Sequence, residues 1–550
     1  MIIFKIIGII ITSILLWASF PPSSQSDSVW LALVPILLII RACKPKEAFK
    51  WSFLAGLGFW VLTLSWFPAI IKNGGPWFLV ILGQFALAAW CALFMGLFAF
   101  ASSSFWRLGG SEPSLKRVGL IVLVDPLLWV GTEYIRGWLF SGFAWNFLGV
   151  SQVNNSALIQ VASVAGVYGV SAVLVMVNGG ITSIVERAAA PLVMKVLHKE
   201  IVTYKNTIAV RLLKSSESFV PILCAILCWS WGMNRIKNWQ ARELDYPAWR
   251  VALVQPNTPC VFVFDDETMH QQLKVLLDQT RFASAAKPHL VVWPETSLLG
   301  SVPDEAGTMQ FVREAAAITG SALLTGTLET ERVEKSTADP YGLRFYNAAW
   351  MFASNGTVLG HYRKQHLVPF GEYIPLDKII PALQKLAPTG VSCTAGDGPS
   401  LIELHDDEGR SVKVGSLICF EDTVPLLSRK SVKAGAGMLA LMTNDAWFNG
   451  SIEPVQHLNQ SIFRAVECGV PMVRSANSGV SCVVDAVGRV SKLTSQGCST
   501  DFSGFLMTQV RIPEKKLSAP YVAFGDWILA IPGGLLVVLA AAWFMFKRKH

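Results

Sequence analysis

The sequence predicts a protein of two parts, a multi-pass α-helical membrane domain followed by a layered α/β domain. Three observations predict it. Hydrophobic residues make up 52% of the chain and charged residues only 15%, well below the quarter usual in a soluble domain. Charge is unevenly spread, since residues 1 to 40 hold only Lys5 and Asp27 while residues 245 to 515 read as ordinary globular sequence. Within that later stretch, short apolar runs alternate with helix-period segments, as layered α/β folds require. A chain of 550 residues has room for both parts.

Eight apolar segments are candidates to cross a bilayer, at 1–20, 28–40, 52–71, 76–104, 118–135, 160–184, 219–235 and 523–546. The second is short and needs tilt or help from its flanks. A signal peptide fits the first poorly, because Lys5 is a weak positive flank and no small-x-small site precedes Pro21-Pro22. Basic residues set the orientation. They gather at 41–50 (Arg41, Lys44, Lys46, Lys50), 105–117 (Arg107, Lys116, Arg117), 185–217 (Arg187, Lys195, Lys199, Lys205, Arg211, Lys214) and in Lys547-Arg548-Lys549. With eight spans all of these fall on one side, so both termini are expected in the cytoplasm and the α/β domain outside it, in a bacterium the periplasm. The net charge of +8 then reflects topology, not nucleic-acid binding.

The expected domains are therefore 1–235 (about seven spans), 249–512 (the globular domain) and 523–546 (the last span). Asp125 lies inside an apolar segment, where an acid is either functional or a helix-packing partner. Gly131 to Phe140 is aromatic with Glu133 and Arg136, and reads as the outer connection between spans five and six. It is either an interfacial belt or one wall of a lipid route.

The globular domain begins with an apolar strand, Trp249 to Gln255, then a helix Met269 to Ser284 carrying Leu273, Val275, Leu276 and Leu277. Strands are expected at 289–293, 321–327, 346–352, 357–363, 412–418, 437–442 and 471–475, with a hairpin at 480–490. Helices are expected at 305–318, near 424–435 and near 454–468. Glu372 to Gly390 interleaves Ile374, Leu376, Ile379, Ile380, Leu383 and Leu386 with few charges, and could form an amphipathic lid. Of ten cysteines none forms a Cys-x-x-Cys pair, and spacing assigns no disulfide.

Three separate stretches each offer one reactive group, two of them at the end of an apolar run and the third after a turn. Ser416-Leu417-Ile418-Cys419 puts a thiol at a strand end, where such folds keep their reacting groups. Val291 to Glu295 ends in an acid, and Gly360 to Lys364 in a base. A lone cysteine is usually a small core hydrophobe; the company changes that reading. Acyl transfer needs a nucleophile, a proton acceptor and an oxyanion donor, and Cys419, Glu295 and Lys364 supply these. His361, His366 and His457 match no standard metal-ligand spacing, so no metal is expected. No Gly-rich phosphate loop occurs, so neither a nucleotide nor another cofactor is expected.

The domain from about 249 to 512 resembles the carbon–nitrogen hydrolase (nitrilase) superfamily, whose Glu-Lys-Cys order matches Glu295, Lys364 and Cys419. The whole chain resembles its membrane branch, the apolipoprotein N-acyltransferases. Matching pieces include Arg136-Gly137-Trp138-Leu139-Phe140, Gln255-Pro256-Asn257, Tyr346-Asn347, Pro369 to Pro375, Thr443 to Phe448, Arg464 to Glu467 and Arg474 to Gly479. The resemblance implies a nitrilase-like four-layer α-β-β-α sandwich beside eight spans in the bacterial inner membrane. It implies a ping-pong reaction. Cys419 takes the sn-1 acyl chain of a phospholipid, expected to be phosphatidylethanolamine, as a thioester. The α-amine of a diacylglyceryl-cysteine at an apolipoprotein N-terminus then receives it. Glu372 and Glu421 would assist, and Phe420, Trp447 and Phe448 would line the acyl route. Phe420 stands where many members have tyrosine, which removes a phenol hydroxyl. A monomer is expected. The rival readings are a membrane-anchored amidase or lipid hydrolase sharing the triad, and a transporter with an accessory domain; scarce mid-span charge argues against the latter.

Overall fold

The structure, a computed structural model, describes residues 2–109, 115–196, 208–259, 266–303, 305–335, 342–375, 392–514 and 516–530. Its described residues form two compact units, one within Met1–Pro68, Trp77–Ile236 and Phe524–His550, the other within Ala69–Pro76 and Lys237–Ala523.

In the first unit, four helices among the described residues are long and apolar enough to cross a membrane: Trp77–Leu108, Leu115–Ser141, Ala162–Ala188 and Lys214–Asp245. A shorter apolar helix covers Ile2–Ala18. The expected span at 28–40 is instead two short helices, Val29–Ala32 and Val34–Ala42. The break has a local cause: the Leu33 N–H donates to Asn178 Oδ1 at 2.9 Å, and Pro35 has no N–H to give. Asn178 Nδ2 also reaches Val29 O at 2.9 Å, so one buried amide pins both pieces. The segment at 52–71 divides likewise into Pro45–Thr63 and Ala69–Lys72. Most of 523–546 lies outside the described residues, as do 376–390 of the expected lid.

Two expectations about polar residues here are settled by packing. Asp125 is buried and accepts from Ser102 Oγ at 2.7 Å and Trp106 Nε1 at 2.9 Å, so it braces two helices. Gly131 to Trp138 is not a connection but the end of the helix Asp125–Trp138. Arg136 Nη1 donates to the carbonyls of Phe143 and Trp145, each at 2.8 Å, and Glu133 Oε1 accepts from the Leu148 N–H at 2.6 Å. Both charges are buried. They satisfy the backbone of the following loop, a stronger demand in an apolar setting than exposure at an interface.

The second unit is built on two sheets. The first contains β1 (Ala248–Gln255), β2 (Leu290–Val292), β3 (Leu298–Val302), β4 (Ala322–Arg332), β5 (Leu343–Phe352) and β6 (Val358–Arg363). The second contains β7 (Leu401–His405), β8 (Ser411–Ile418), β9 (Met438–Thr443), β10 (Met472–Ala476), β11 (Cys482–Val484) and β12 (Val490–Lys492). The last strand, β13 (Gly504–Arg511), returns to the first sheet and pairs antiparallel with β1. The orders are β13-β1-β2-β4-β5-β6, with β3 beside β4, and β12-β11-β10-β9-β8-β7.

Side-chain alternation explains how the sheets pack. Val251, Leu253, Leu290, Val292 and Leu324 enter a core shared with Val414, Ile418, Ala440 and Met442 of the second sheet. Their neighbours Ala252, Val254, Val291 and Leu323 face the other way, into a core with Leu276 and Val312 of the helices Asp266–Ser284 and Ala306–Thr319. Burial on both faces is why these strands read as continuous apolar runs. Each fully buried Val or Leu contributes roughly 1.5–3 kcal/mol. β3, β7 and β13 are absent from the expected strands. No disulfide joins the described cysteines.

Candidate active site

β8 ends at Ile418, and Cys419 follows with φ +52° at the start of the turn Cys419–Thr423. A non-glycine residue in this region costs about 1–3 kcal/mol and persists only where its surroundings over-determine it. The half-buried residue packs against the core shared by the two sheets.

Glu295 follows β2 and is 8% exposed. Its Oε1 accepts from Asn347 Nδ2 at 2.7 Å and Lys364 Nζ at 3.4 Å, and its Oε2 from the Asn444 N–H at 2.9 Å. Gly326 of β4 allows this placement: a Cβ there would lie 2.6 Å from the Glu295 Cα. Lys364, at the end of β6, is 1% exposed, and its Nζ donates to Glu372 Oε1 at 2.9 Å. Asn347 Nδ2 also donates to Glu372 Oε1, at 2.8 Å, and Glu372 Oε2 accepts from the Val368 N–H at 2.8 Å. One ammonium and one amide therefore hold two carboxylates together.

Electrostatics follow from this arrangement. Burial alone would lower the Lys364 pKa, but the charges of Glu372 and then Glu295 outweigh it and hold it well above the ordinary lysine value. Lys364 is thus a fixed cation. Burial pushes the Cys419 thiol well above its ordinary value; the Glu295 charge adds to this and Lys364 opposes it. The resting sulfur is therefore a thiol, which needs a proton acceptor to react.

Glu421 is placed differently from the other acids. Its oxygens accept from the backbone N–H groups of Ile418 (2.8 Å), Gln365 (2.7 Å) and His366 (3.1 Å), and from the Tyr362 hydroxyl at 2.9 and 2.8 Å. It ties the residues after Lys364 to the residue before Cys419. Burial pushes its carboxyl up to about 7, against the Lys364 charge and these N–H donors. The group therefore contributes stability in full below about 4.5 and loses it as pH rises through about 7. Wild type should lose about 3 kcal/mol over that interval that Glu421→Gln, which cannot ionise, retains. Gln at this position should cost about 1–3 kcal/mol throughout, because its NH₂ faces N–H donors. Melting scans from pH 4.5 to 7.5 check this, and parallel curves for the two proteins would refute it.

The expected route residues lie beside these groups. The Phe420 ring stacks on His366 with centroids 5.9 Å apart, and Trp447 and Phe448 sit half-buried in the turn after Asn444. Asn444 caps that turn and accepts from Asn477 Nδ2 at 2.9 Å. Asn73, from the Ala69–Pro76 segment of the same unit, donates to the carbonyls of Ala446 (3.2 Å) and Trp447 (2.7 Å). The three histidines have separate partners: His361 stacks on Trp350, His366 on Phe420, and His457 bonds two aspartates. Sequence reasoning missed Asn347 as a site residue. Its signal was a lone amide in the otherwise apolar stretch Phe345 to Phe352.

Residues 12–180 match the family described as apolipoprotein N-acyltransferase N-terminal domain, and residues 250–503 match carbon-nitrogen hydrolase. An apolipoprotein N-acyltransferase of Geobacter metallireducens is 32% identical over 98% of this chain and 95% of its own length. One from Azotobacter vinelandii is 30% identical, covering 97% and 94%. One from Rickettsia typhi is 29% identical over 88% of each.

Proposed function

This chain belongs to the apolipoprotein N-acyltransferase family, and from that premise we propose how its residues carry an acyl chain from a phospholipid to a lipoprotein. The observation that carries the reading is the linked group of Glu295, Lys364, Glu372 and Asn347, with the charges of Glu295 and Lys364 acting on the Cys419 thiol.

In the first half-reaction Glu295 takes the Cys419 proton as the sulfur attacks the ester carbonyl of the donor. The elevated thiol pKa makes removal of the proton part of the attack. Negative charge moves to the carbonyl oxygen, where Lys364 opposes it at no cost in reorganisation, since Glu372 and Asn347 already fix the site. Collapse breaks the ester C–O bond, Glu295 returns the proton to the leaving oxygen, and lysophospholipid departs. The thioester remains on Cys419. In the second half-reaction the neutral α-amine of the diacylglyceryl-cysteine attacks the thioester carbonyl. Glu295 takes the amine proton, the C–S bond breaks, and Glu295 passes that proton to the leaving sulfur, which restores the free thiol and the carboxylate. Glu372 keeps Lys364 charged and placed; Glu421 braces the two strand ends. Phe420, Trp447 and Phe448 line the acyl route.

Eight spans, a four-layer α-β-β-α sandwich at 249–512 and a last span at 523–546 complete the proposed organisation, with both termini cytoplasmic and the catalytic domain periplasmic. The distribution of Lys and Arg supports this orientation. Phosphatidylethanolamine is the proposed donor and the enzyme works as a monomer. Confinement of both substrates to one membrane gives a high effective concentration.

The test uses purified protein in bilayers, phospholipid with a labelled sn-1 chain, and a diacylated lipopeptide with a free amine. Intact mass should show an acyl adduct on Cys419 that moves to the peptide when it is added. An adduct released only to water would make the protein a lipid hydrolase instead.

A further inference from the structure

We propose that His457 is a positioning residue that clamps the nucleophile's turn to the loop supporting Glu295. The inference rests on the reading of Cys419 as the acylated residue. His457 lies on the helix Glu453–Cys468, whose residues 453, 457, 461 and 464 recur at helical spacing along one face. All four are buried. A charged or polar stripe aimed inward is costly unless each member has a partner, and here the partners are specific. His457 Nε2 bonds Asp422 Oδ1 at 2.8 Å, and its Nδ1 bonds Asp445 Oδ1 at 3.1 Å. Ser461 Oγ donates to Asp422. Arg464 Nη1 donates to the Thr423 carbonyl at 3.2 Å.

These contacts join two loops. Asp422 and Thr423 belong to the turn that begins at Cys419. Asp445 follows Asn444, whose N–H donates to Glu295 Oε2 at 2.9 Å. Asp445 is itself held by Thr443 Oγ1 at 2.8 Å and Arg474 Nη2 at 3.0 Å. Gly479 leaves the space it needs, since a Cβ there would lie 1.9 Å from Asp445 Oδ2. One imidazole thus spans from the nucleophile's turn to the loop that donates to the acid. Glu421 restrains the turn from the other direction, through Ile418, Gln365 and His366. Opposed restraints of this kind are what a positive φ at Cys419 requires.

Charge completes the device. Both ring nitrogens meet carboxylates, which asks for an imidazolium with two N–H donors. Burial opposes that charge, but Asp422 and Asp445 outweigh it and raise the His457 pKa well above its ordinary value. The remaining charged groups facing the ring are Glu453, with Oε1 3.8 Å from Nδ1, and Arg474 beyond Asp445. Burial, then the Asp445 charge, pushes Glu453 up to about 8, so it is protonated near neutral pH. Two cations then face two carboxylates. Asp445, Glu453 and His457 place ligand-type atoms within 4.8 Å of one another, yet the positive charge such a group would seek is already supplied by His457 and Arg474. The stability this imidazolium contributes is complete below its ordinary pKa and is lost only on the alkaline side, as pH passes its raised folded value.

The experiment measures thioester formation on Cys419 from labelled phospholipid, by intact mass, in wild type, His457→Gln, Asp422→Asn and the double variant. At saturating donor, each single substitution should slow acylation at least about tenfold, with half-saturating donor concentration unchanged within about twofold. The double variant should be no more than about twofold below the slower single variant, because both remove one bridge. A wild-type rate in folded His457→Gln, losses that multiply, or an effect confined to donor half-saturation would overturn the clamp. If His457→Gln does not fold, Ser461→Ala decides, since it leaves the ring and removes one bond to Asp422: a slower rate at saturation supports the clamp and a wild-type rate overturns it. Absence of any adduct on wild type would instead defeat the assignment of Cys419.

Discussion

Cys419→Ser should abolish the acyl adduct and lower acyl transfer by at least about 10³-fold, while leaving the melting temperature nearly unchanged. The two expectations separate because the residue has two roles. Sterically, serine fits the position: the turn Cys419–Thr423 is held by Glu421, Asp422 and Thr423 through their own partners, and the sulfur's hydrogen bond to Thr443 is one that a hydroxyl can also make. Chemically it does not. Glu295 must take a proton from a hydroxyl far less acidic than even a thiol raised by burial, and the oxygen is the poorer leaving group in the second step. The assay is transfer of labelled acyl chain to lipopeptide at saturating donor, with intact mass for the adduct. Residual transfer within tenfold of wild type would remove Cys419 from the covalent route.

Lys364→Met should be more damaging to the fold and nearly as damaging to activity. The ammonium is buried between Glu295 and Glu372, at 3.4 and 2.9 Å. Removing one member of a buried ionic group leaves its partners uncompensated, a loss of about 3–5 kcal/mol. The two acids would then share only the Asn347 amide, which donates to both. With the cation gone, desolvation and mutual repulsion raise at least one of their pKa values. A group whose folded pKa is raised stabilises only at low pH, so the variant should approach wild type near pH 5 and fall away toward pH 7.5. Acyl transfer should drop at least about 10²-fold through loss of the oxyanion's counter-charge. Melting curves at the two pH values test the first part; a variant that tracks wild type at both would show that Lys364 does not hold the acids together.

Much of this site was legible in the chain. Glu295 and Cys419 each close an apolar run, and strands buried on both faces make such runs easy to see; Lys364 follows β6, whose sequence is mixed and whose first residues are exposed. The helix and strand periods of the α/β domain follow the same local rule, and their ends lie close to those expected. What escaped was long-range. β13 pairs with β1 across the length of the domain, and its sequence Gly504 to Arg511 has half-exposed residues that carry no strong period. β7 is a short edge strand whose register depends on β8. Asn347 became a site residue only because β5 carries it between two acids from different loops.

The sequence by itself determined the division into an apolar, basic-flanked half and an α/β half, the chain order of Glu295, Lys364 and Cys419, and the family. These depend on composition and on periods of two or 3.6 residues, which are written in consecutive positions. Only the tertiary structure decided what each buried charge does. Asp125 braces helices, Arg136 and Glu133 hold a loop, Glu421 ties two strand ends, and His457 spans two loops. The reason is physical: a buried charge takes its role from the partner that repays its desolvation, and here nearly every such partner is supplied by a distant part of the chain.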